Sequence, residues 1–329
     1  MSHVKQFIKN ISPLNNRSGM PAILYIIKVV IVFWTVKFAS ELIGEGVVMG
    51  IHFAFGKNPL QGEMFSENTM MLIMYFGYAL MIGIMILYWK LFQKRSIAKL
   101  GFTKQVGTYL IGAVLGTVLV AISAASVILT GTLNYHGVFS CIDSKFIILM
   151  LGGFVFQGGM EEVLCRGFVL QLLKDKVSIP VAICVSTVLF IIPHLSSMQG
   201  ASAGIIIFAI VDLILISIIF SLLTIRFNSI WAACGLHSIW NFILYNILGL
   251  NLSGNDTKTA AIFDIRSSGS NVLNGGMYGI EASAVTAVVL AVAVIALLVS
   301  FRKEQALSSK IVPAESDIMG ADHKKRGSI

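Results

Sequence analysis

The chain has 329 residues and a formal net charge of +8, yet only 12% of its residues are charged, 56% are hydrophobic and the mean hydropathy is +0.85. Its apolar residues come in long runs rather than amphipathic stripes, which excludes a soluble globular domain. No basic stripe with interleaved aromatics occurs, so the positive charge is not a nucleic-acid footprint and no nucleic-acid partner is expected.

Crossing a hydrocarbon core of about 30 Å takes about 20 apolar residues in a helix. Runs of that kind lie at 21–43, 70–92, 107–131, 146–173, 179–195, 202–225, 230–249 and 281–301. The predicted fold is therefore all-α, a polytopic membrane helical bundle of about eight transmembrane helices. Residues 1–20 are too polar, and the first apolar run too long, for a cleaved signal peptide, so the first span is expected to stay as an anchor. Lys28 in that span is expected to point into the bundle and Lys37 to snorkel. The fourth span is the longest; the fifth is short, with Pro180 near its start and Pro193 near its end, and a tilt or break is expected there. The stretch 249–280, rich in Gly, Ser and Asn, reads as a flexible outer connection, and 302–329 as an unstructured polar tail. No internal repeat supports an inverted-repeat transporter.

Orientation follows from the basic residues. With a cytoplasmic N-terminus, seventeen fall in inside segments: Lys5, Lys9, Arg17, Lys90, Lys94, Arg95, Lys99, Lys104, Lys174, Lys176, Arg226, Arg302, Lys303, Lys310, Lys324, Lys325 and Arg326. Only four, Lys57, Lys145, Lys258 and Arg266, fall outside. Both termini are expected in the cytoplasm, of a prokaryotic plasma membrane. Cys141, Cys165, Cys184 and Cys234 form no even set in an oxidising compartment and read as small hydrophobes.

Ionisable side chains in hydrocarbon mark functional sites by default, and three clusters of polar residues interrupt these spans. In the fourth, Glu161-Glu162 precedes Arg166. Residues four apart share a helix face, so Glu162 can pair with Arg166, while Glu161 points about 100° away. That leaves Glu161 free to act as a general base. The competing reading is an ion pair that only joins helices. His3 and His323 lie in the tails and His52 and His136 in outer loops, leaving His194 and His237 as the histidines within spans. His237 and Asn241 project together from the seventh span as adjacent donors suited to an oxyanion. Phe190, one turn before His194, would fix that ring. Asp212 in the sixth span either accepts hydrogen bonds from a neighbouring helix, the commoner role for such a residue, or lines a substrate cavity.

Glu161-Glu162-x-x-x-Arg166, Phe190-x-x-x-His194 and His237-x-x-x-Asn241, in this order on successive spans, resemble the CPBP family of intramembrane proteases, which contains type II CAAX prenyl endopeptidases and bacteriocin-processing or immunity proteins. The match covers a core of about 146–250, within a membrane domain of 21–301. The resemblance implies peptide-bond hydrolysis: Glu161 activates water with help from His194, His237 and Asn241 bind the oxyanion, and Glu162 and Arg166 orient the site.

Metal dependence stays open at this level. His194, His237 and Glu161 would furnish a His₂Glu zinc site with a position left for water. Against zinc, the chain lacks H-E-x-x-H and its carboxylate pair carries an arginine, which favours a glutamate-based mechanism with no metal. The expected partners are the lipid bilayer and a peptide or membrane-protein substrate, of the CAAX type or the bacteriocin or leader-peptide type. The rival functions are a noncatalytic membrane scaffold or immunity protein of the same family, and a proton-coupled transporter.

Overall fold

The computed structural model describes residues 2–255 and 261–325, with side chains for 4–255 and 261–304. The expectations for Lys258 and Arg326, and for the side chains of Lys310, Lys324 and Lys325, lie outside these residues. Helix α1 (Ser2–Ile11) precedes the long α2 (Ala22–Ala54) and α3 (Glu67–Tyr88), and α4 (Thr108–Leu129) follows. Strand β1 (Leu133–Val138) leads into α5 (Ser144–Glu162), which continues without a break as a π-helix, Val163–Leu170, and a last turn, α6 (Gln171–Leu173). Next come α7 (Ile179–Ile191), α8 (Ala203–Phe227), α9 (Trp231–Phe242), strand β2 (Phe263–Ser267) and α10 (Ala284–Lys325).

Seven stretches among the described residues are long and apolar enough to cross a membrane: Ala22–Ala54, Glu67–Gln93, Thr108–Leu129, Ser144–Leu173, Ile179–Met198, Ala203–Phe227 and Ala284–Glu304. The remaining expected span, 230–249, is the shorter α9, 12 residues followed by a 5-residue π-helix to Ile247. Enclosure explains how so short a helix serves. α9 packs most extensively on α4 and α5 and has most of its residues buried, so neighbouring helices rather than lipid surround it. The α4 contact depends on missing side chains, because a Cβ at Gly112 would lie 1.8 Å from the Ala232 carbonyl oxygen and one at Gly235 2.0 Å from that of Tyr109. On its other side α4 exposes Leu110, Val114, Val118 and Ile122, a lipid-facing stripe at helical spacing.

The segments rich in basic residues meet at one end of the bundle. Arg95 pairs with Asp175 at 2.8 Å, Arg226 with Glu304, the Ile230 amide donates to the Gly101 carbonyl, and Asn16 donates to the Gln93 carbonyl. The opposite end is capped by β1 and β2, antiparallel with Leu133 opposite Ser267 and an irregularity between Tyr135 and Val138.

Several expectations are corrected. The 249–280 connection is not a plain flexible linker: it supplies β2, and Asn274 donates to the Thr132 and Gly269 carbonyls while its own oxygen accepts the amides of Asn271 and Gly276. Asn side chains there replace backbone partners, the reason a Gly- and Asn-rich stretch can hold a fixed shape. The polar segment read as an unstructured tail has helical backbone to Lys325. His52 is not in a loop: α2 runs eleven residues beyond 43, and the buried ring sits 2.8 Å from the Val48 carbonyl. Lys37 does not snorkel, since it pairs with Glu41 and faces an internal cavity, whereas Lys28 is buried against Asn15 and the Arg17 carbonyl as expected. The four cysteines are free thiols, Cys165 and Cys234 buried, Cys141 and Cys184 exposed.

Candidate active site

The site forms where the end of α5, the end of α7 and the middle of α9 converge, with α8 behind them. Asp143 caps α5 by accepting the Phe146 amide at 2.9 Å, and the helix delivers Glu161 and Glu162 at its last two positions. There the backbone widens into the π-helix, a distortion that recurs at functional sites. Pro193 brings about the second feature. Lacking an amide hydrogen, it ends the α-helical ladder of α7 and the chain continues as a 3₁₀ helix over Ile192–Met198, which carries His194. Because of that break, His194 is not held at the end of a straight helix.

Glu162 and Arg166 are both fully buried and pair at 2.9 Å between Oε1 and Nη1. The Arg166 Nη2 donates to the Ser217 Oγ at 2.8 Å and to its carbonyl at 3.1 Å, and Thr187 lies 2.8 Å from the same Oγ. The guanidinium carbon is 4.7 Å from the Phe190 ring centre and 4.9 Å from that of Phe220, so two aromatic faces enclose the charge.

His237 stands between the two glutamates. Its Nδ1 is 3.0 Å from Glu162 Oε1 and its Nε2 is 3.8 Å from Glu161 Oε2. The Glu162 Oε1 that accepts from Arg166 is also the acceptor facing Nδ1, so Nδ1 is assigned as the donor and Nε2 is the atom turned toward Glu161. Phe220 stacks on the ring at 4.9 Å and 16°, fixing its plane. Gly158 permits the approach of α9: a Cβ there would be 3.0 Å from the Ser238 amide nitrogen and 3.3 Å from His237 Cβ. The same donor logic applies to His194, whose Nδ1 is 2.8 Å from the Phe190 carbonyl, leaving Nε2 as its free nitrogen, while the Phe190 ring lies 4.9 Å away and packs it in place.

Glu161 is not wholly free, as the sequence reading had it. Gln157, one turn earlier, donates to its Oε1 at 2.6 Å and accepts from the Asn241 amide at 2.9 Å. Oε2 is buried with no hydrogen-bond partner. Gln157 is the residue that the sequence reading missed, although its spacing of four from Glu161 was the available signal. All of Glu161, His194, His237 and Asn241 line one cavity of about 360 Å³, shared with Gln157, Tyr75 and Tyr78, whereas Glu162 and Arg166 lie behind its wall.

Glu281 is a second residue that sequence reasoning passed over. It sits in the turn before α10, lines the cavity, and accepts from Trp240 Nε1 at 2.9 Å and from the Ser253 amide and Oγ at 2.9 and 3.0 Å. Burial pushes its carboxyl above the ordinary glutamate value, against these donors and the nearby His194, which pull it down. Asp212 also lines the cavity, the second of the roles expected of it, and only the Ser283 backbone just before α10 acts on its carboxylate as a weak donor.

The zinc alternative fits poorly. Among the described residues no three of His, Cys, Asp and Glu are grouped so as to hold a metal ion, although Nδ1 of each site histidine faces an oxygen acceptor, an arrangement that would leave Nε2 able to ligate.

Residues 143–243, about a third of the chain and close to the expected core, match the family model described as "Type II CAAX prenyl endopeptidase Rce1-like". No curated protein and no solved structure gives a significant match. The matched segment contains Glu161, Glu162, Arg166, His194, His237 and Asn241, so over this third of the chain the similarity to the Rce1-like family agrees with the resemblance carried by the three motifs.

Proposed function

We propose that this protein is an intramembrane endopeptidase that hydrolyses peptide bonds of membrane-associated substrates with a glutamate-activated water and no metal. The observation that carries the reading is the division of the adjacent glutamates: Glu162 is sealed against Arg166, while Glu161 opens on the cavity beside His194, His237 and Asn241. Water in the cavity gives a proton to Glu161 as its oxygen attacks the scissile carbonyl carbon, with His194 Nε2 accepting the water's other hydrogen bond. The oxyanion that forms is held by the Asn241 amide and by His237 Nε2 when that atom carries a proton, and Glu161 then returns its proton to the departing amine. The substrate is of the CAAX type or the leader-peptide type. The same reading places the basic end of the bundle, and both termini with it, on the cytoplasmic side of a prokaryotic plasma membrane.

Glu161→Gln keeps the shape and removes the base, so hydrolysis is expected to fall by about 10²–10⁴-fold with folded protein retained. Comparative proteomics of cells carrying wild type or this variant would reveal the peptide termini that depend on the carboxylate, and near-normal cleavage by the variant would overturn the assignment. Exhaustive chelation of the purified protein is expected to leave activity intact. Loss on chelation with recovery on adding zinc alone would make the histidines ligands instead.

A further inference from the structure

The cavity has a second polar wall that the proposed hydrolysis does not use. Asp212 on α8 is 2% exposed and faces the cavity, and neither of its carboxylate oxygens has a hydrogen-bond partner. The neighbouring Ser283 amide donates to the Ile280 carbonyl at 3.2 Å and is the one backbone donor that also acts, weakly, on the Asp212 carboxylate. Thr286 on α10, fully buried on the same cavity, likewise has an unpartnered hydroxyl. Glu281 stands at the entry to α10, its position fixed by Trp240 and Ser253.

Apart from His194, which stands near Glu281, no basic side chain among the described residues is free for this wall. Lys37, the lysine on the cavity, is paired with Glu41, and Arg166 is closed away on Glu162. Buried acceptors left without donors are costly, and a native fold retains them where a ligand completes them. The missing partner must bring N–H donors and positive charge. An ammonium group has three donors and a guanidinium five, whereas an anionic or apolar group would leave Asp212 unsatisfied or repel it. A metal ion is a poor occupant, since among the described residues no three ligating side chains are grouped to hold one.

We propose that the α8–α10 wall is a subsite for a basic side chain, Lys or Arg, of the peptide substrate, with Asp212 as its counter-ion and Thr286 as a further acceptor. The proposal deepens the endopeptidase reading and rests on it. Because this wall and Glu161 share one cavity, the basic residue lies close to the scissile bond.

The test uses the full chain in detergent and internally quenched peptides that differ only by Lys, Arg, norleucine or Glu at each position in turn. At one position the kcat/KM for Lys and Arg is expected to exceed that for norleucine by at least about tenfold, the effect of one charge-assisted hydrogen bond. Asp212→Asn is expected to erase this ratio and Asp212→Glu to keep it. Thr286→Val, a second variant should Asp212→Asn fail to fold, is expected to lower the ratio roughly threefold. Cleavage without charge preference, or a preference that survives Asp212→Asn, overturns the subsite and leaves the endopeptidase reading standing. If wild type cleaves no peptide, binding of the same labelled peptides decides. A Lys-over-norleucine affinity ratio that Asp212→Asn removes keeps the subsite without the hydrolysis, and its absence overturns both.

Discussion

The two glutamates of one helix end occupy opposite kinds of protein interior. Behind the cavity, Glu162 and Arg166 are closed in by Ser217, Thr187, Phe190 and Phe220, and every neighbour is fixed by packing. Both sides keep atoms with no hydrogen-bond partner, Oε2 of Glu162 and Nε of Arg166 on the closed side, but only those of Glu161, Asp212 and Thr286 belong to residues that line the cavity. A single step along the chain, about 100° around the helix, separates a structural charge from a chemical one. The difference teaches that access, not satisfaction, separates the two sides: the closed pair holds the geometry, and only the open side offers its unsatisfied atoms to a space that a substrate can enter. Substitutions on the two sides should therefore fail in different ways.

The largest effect on stability is expected behind the cavity. Glu162→Gln leaves Arg166 charged and without its anion in a site with no water, and losing one member of a buried pair costs about 3–5 kcal/mol. It also replaces a charged acceptor for His237 Nδ1 with a weaker neutral one, so both unfolding temperature in detergent and activity should drop. Glu161→Gln should lower activity alone. If the two variants proved equally stable, the division between closed and open sides would be wrong.

A smaller effect tests whether the closed side transmits position to the open one. Gly158→Ala would place a methyl group 3.0 Å from the Ser238 amide nitrogen and 3.3 Å from His237 Cβ, and α9 must give way by a few tenths of an ångström. Overpacking of this kind costs about 1–3 kcal/mol. Activity should fall by less than the roughly hundredfold of a 1 Å misplacement. An unchanged kcat would mean that the position of His237 is not set by this contact.

Much of the architecture could be read from the sequence because hydrocarbon imposes one rule, an apolar run of sufficient length, and polar exceptions to it stand out. Glu162, Arg166 and the three motifs were visible for that reason. What could not be read was whatever depends on two segments meeting. The cap built from 133–138 and 263–267 pairs strands far apart in sequence, and Asn274 substitutes for backbone partners that composition cannot identify. Gln157 joins Asn241 to Glu161 only because Gly158 lets α5 and α9 touch. The break at Pro193 was expected, but its outcome, a 3₁₀ segment that brings His194 to the cavity, depends on where the other helices stand.

The smallest expected effect has the opposite sign, which makes it the sharpest test of the comparison. Asp212 is nearly as buried as Glu162 but has no arginine and no hydroxyl bonded to either oxygen, and only a weak backbone donor at Ser283. Replacing a buried polar group that lacks strong partners by an apolar one of similar size removes a desolvation penalty and breaks no strong bond. Asp212→Leu is therefore expected to raise stability in detergent, by on the order of 1 kcal/mol, read as a higher unfolding temperature. Destabilisation by Asp212→Leu comparable to that of Glu162→Gln would show that Asp212 has a structural partner after all, and the cavity wall it lines would then belong to the closed side of the molecule.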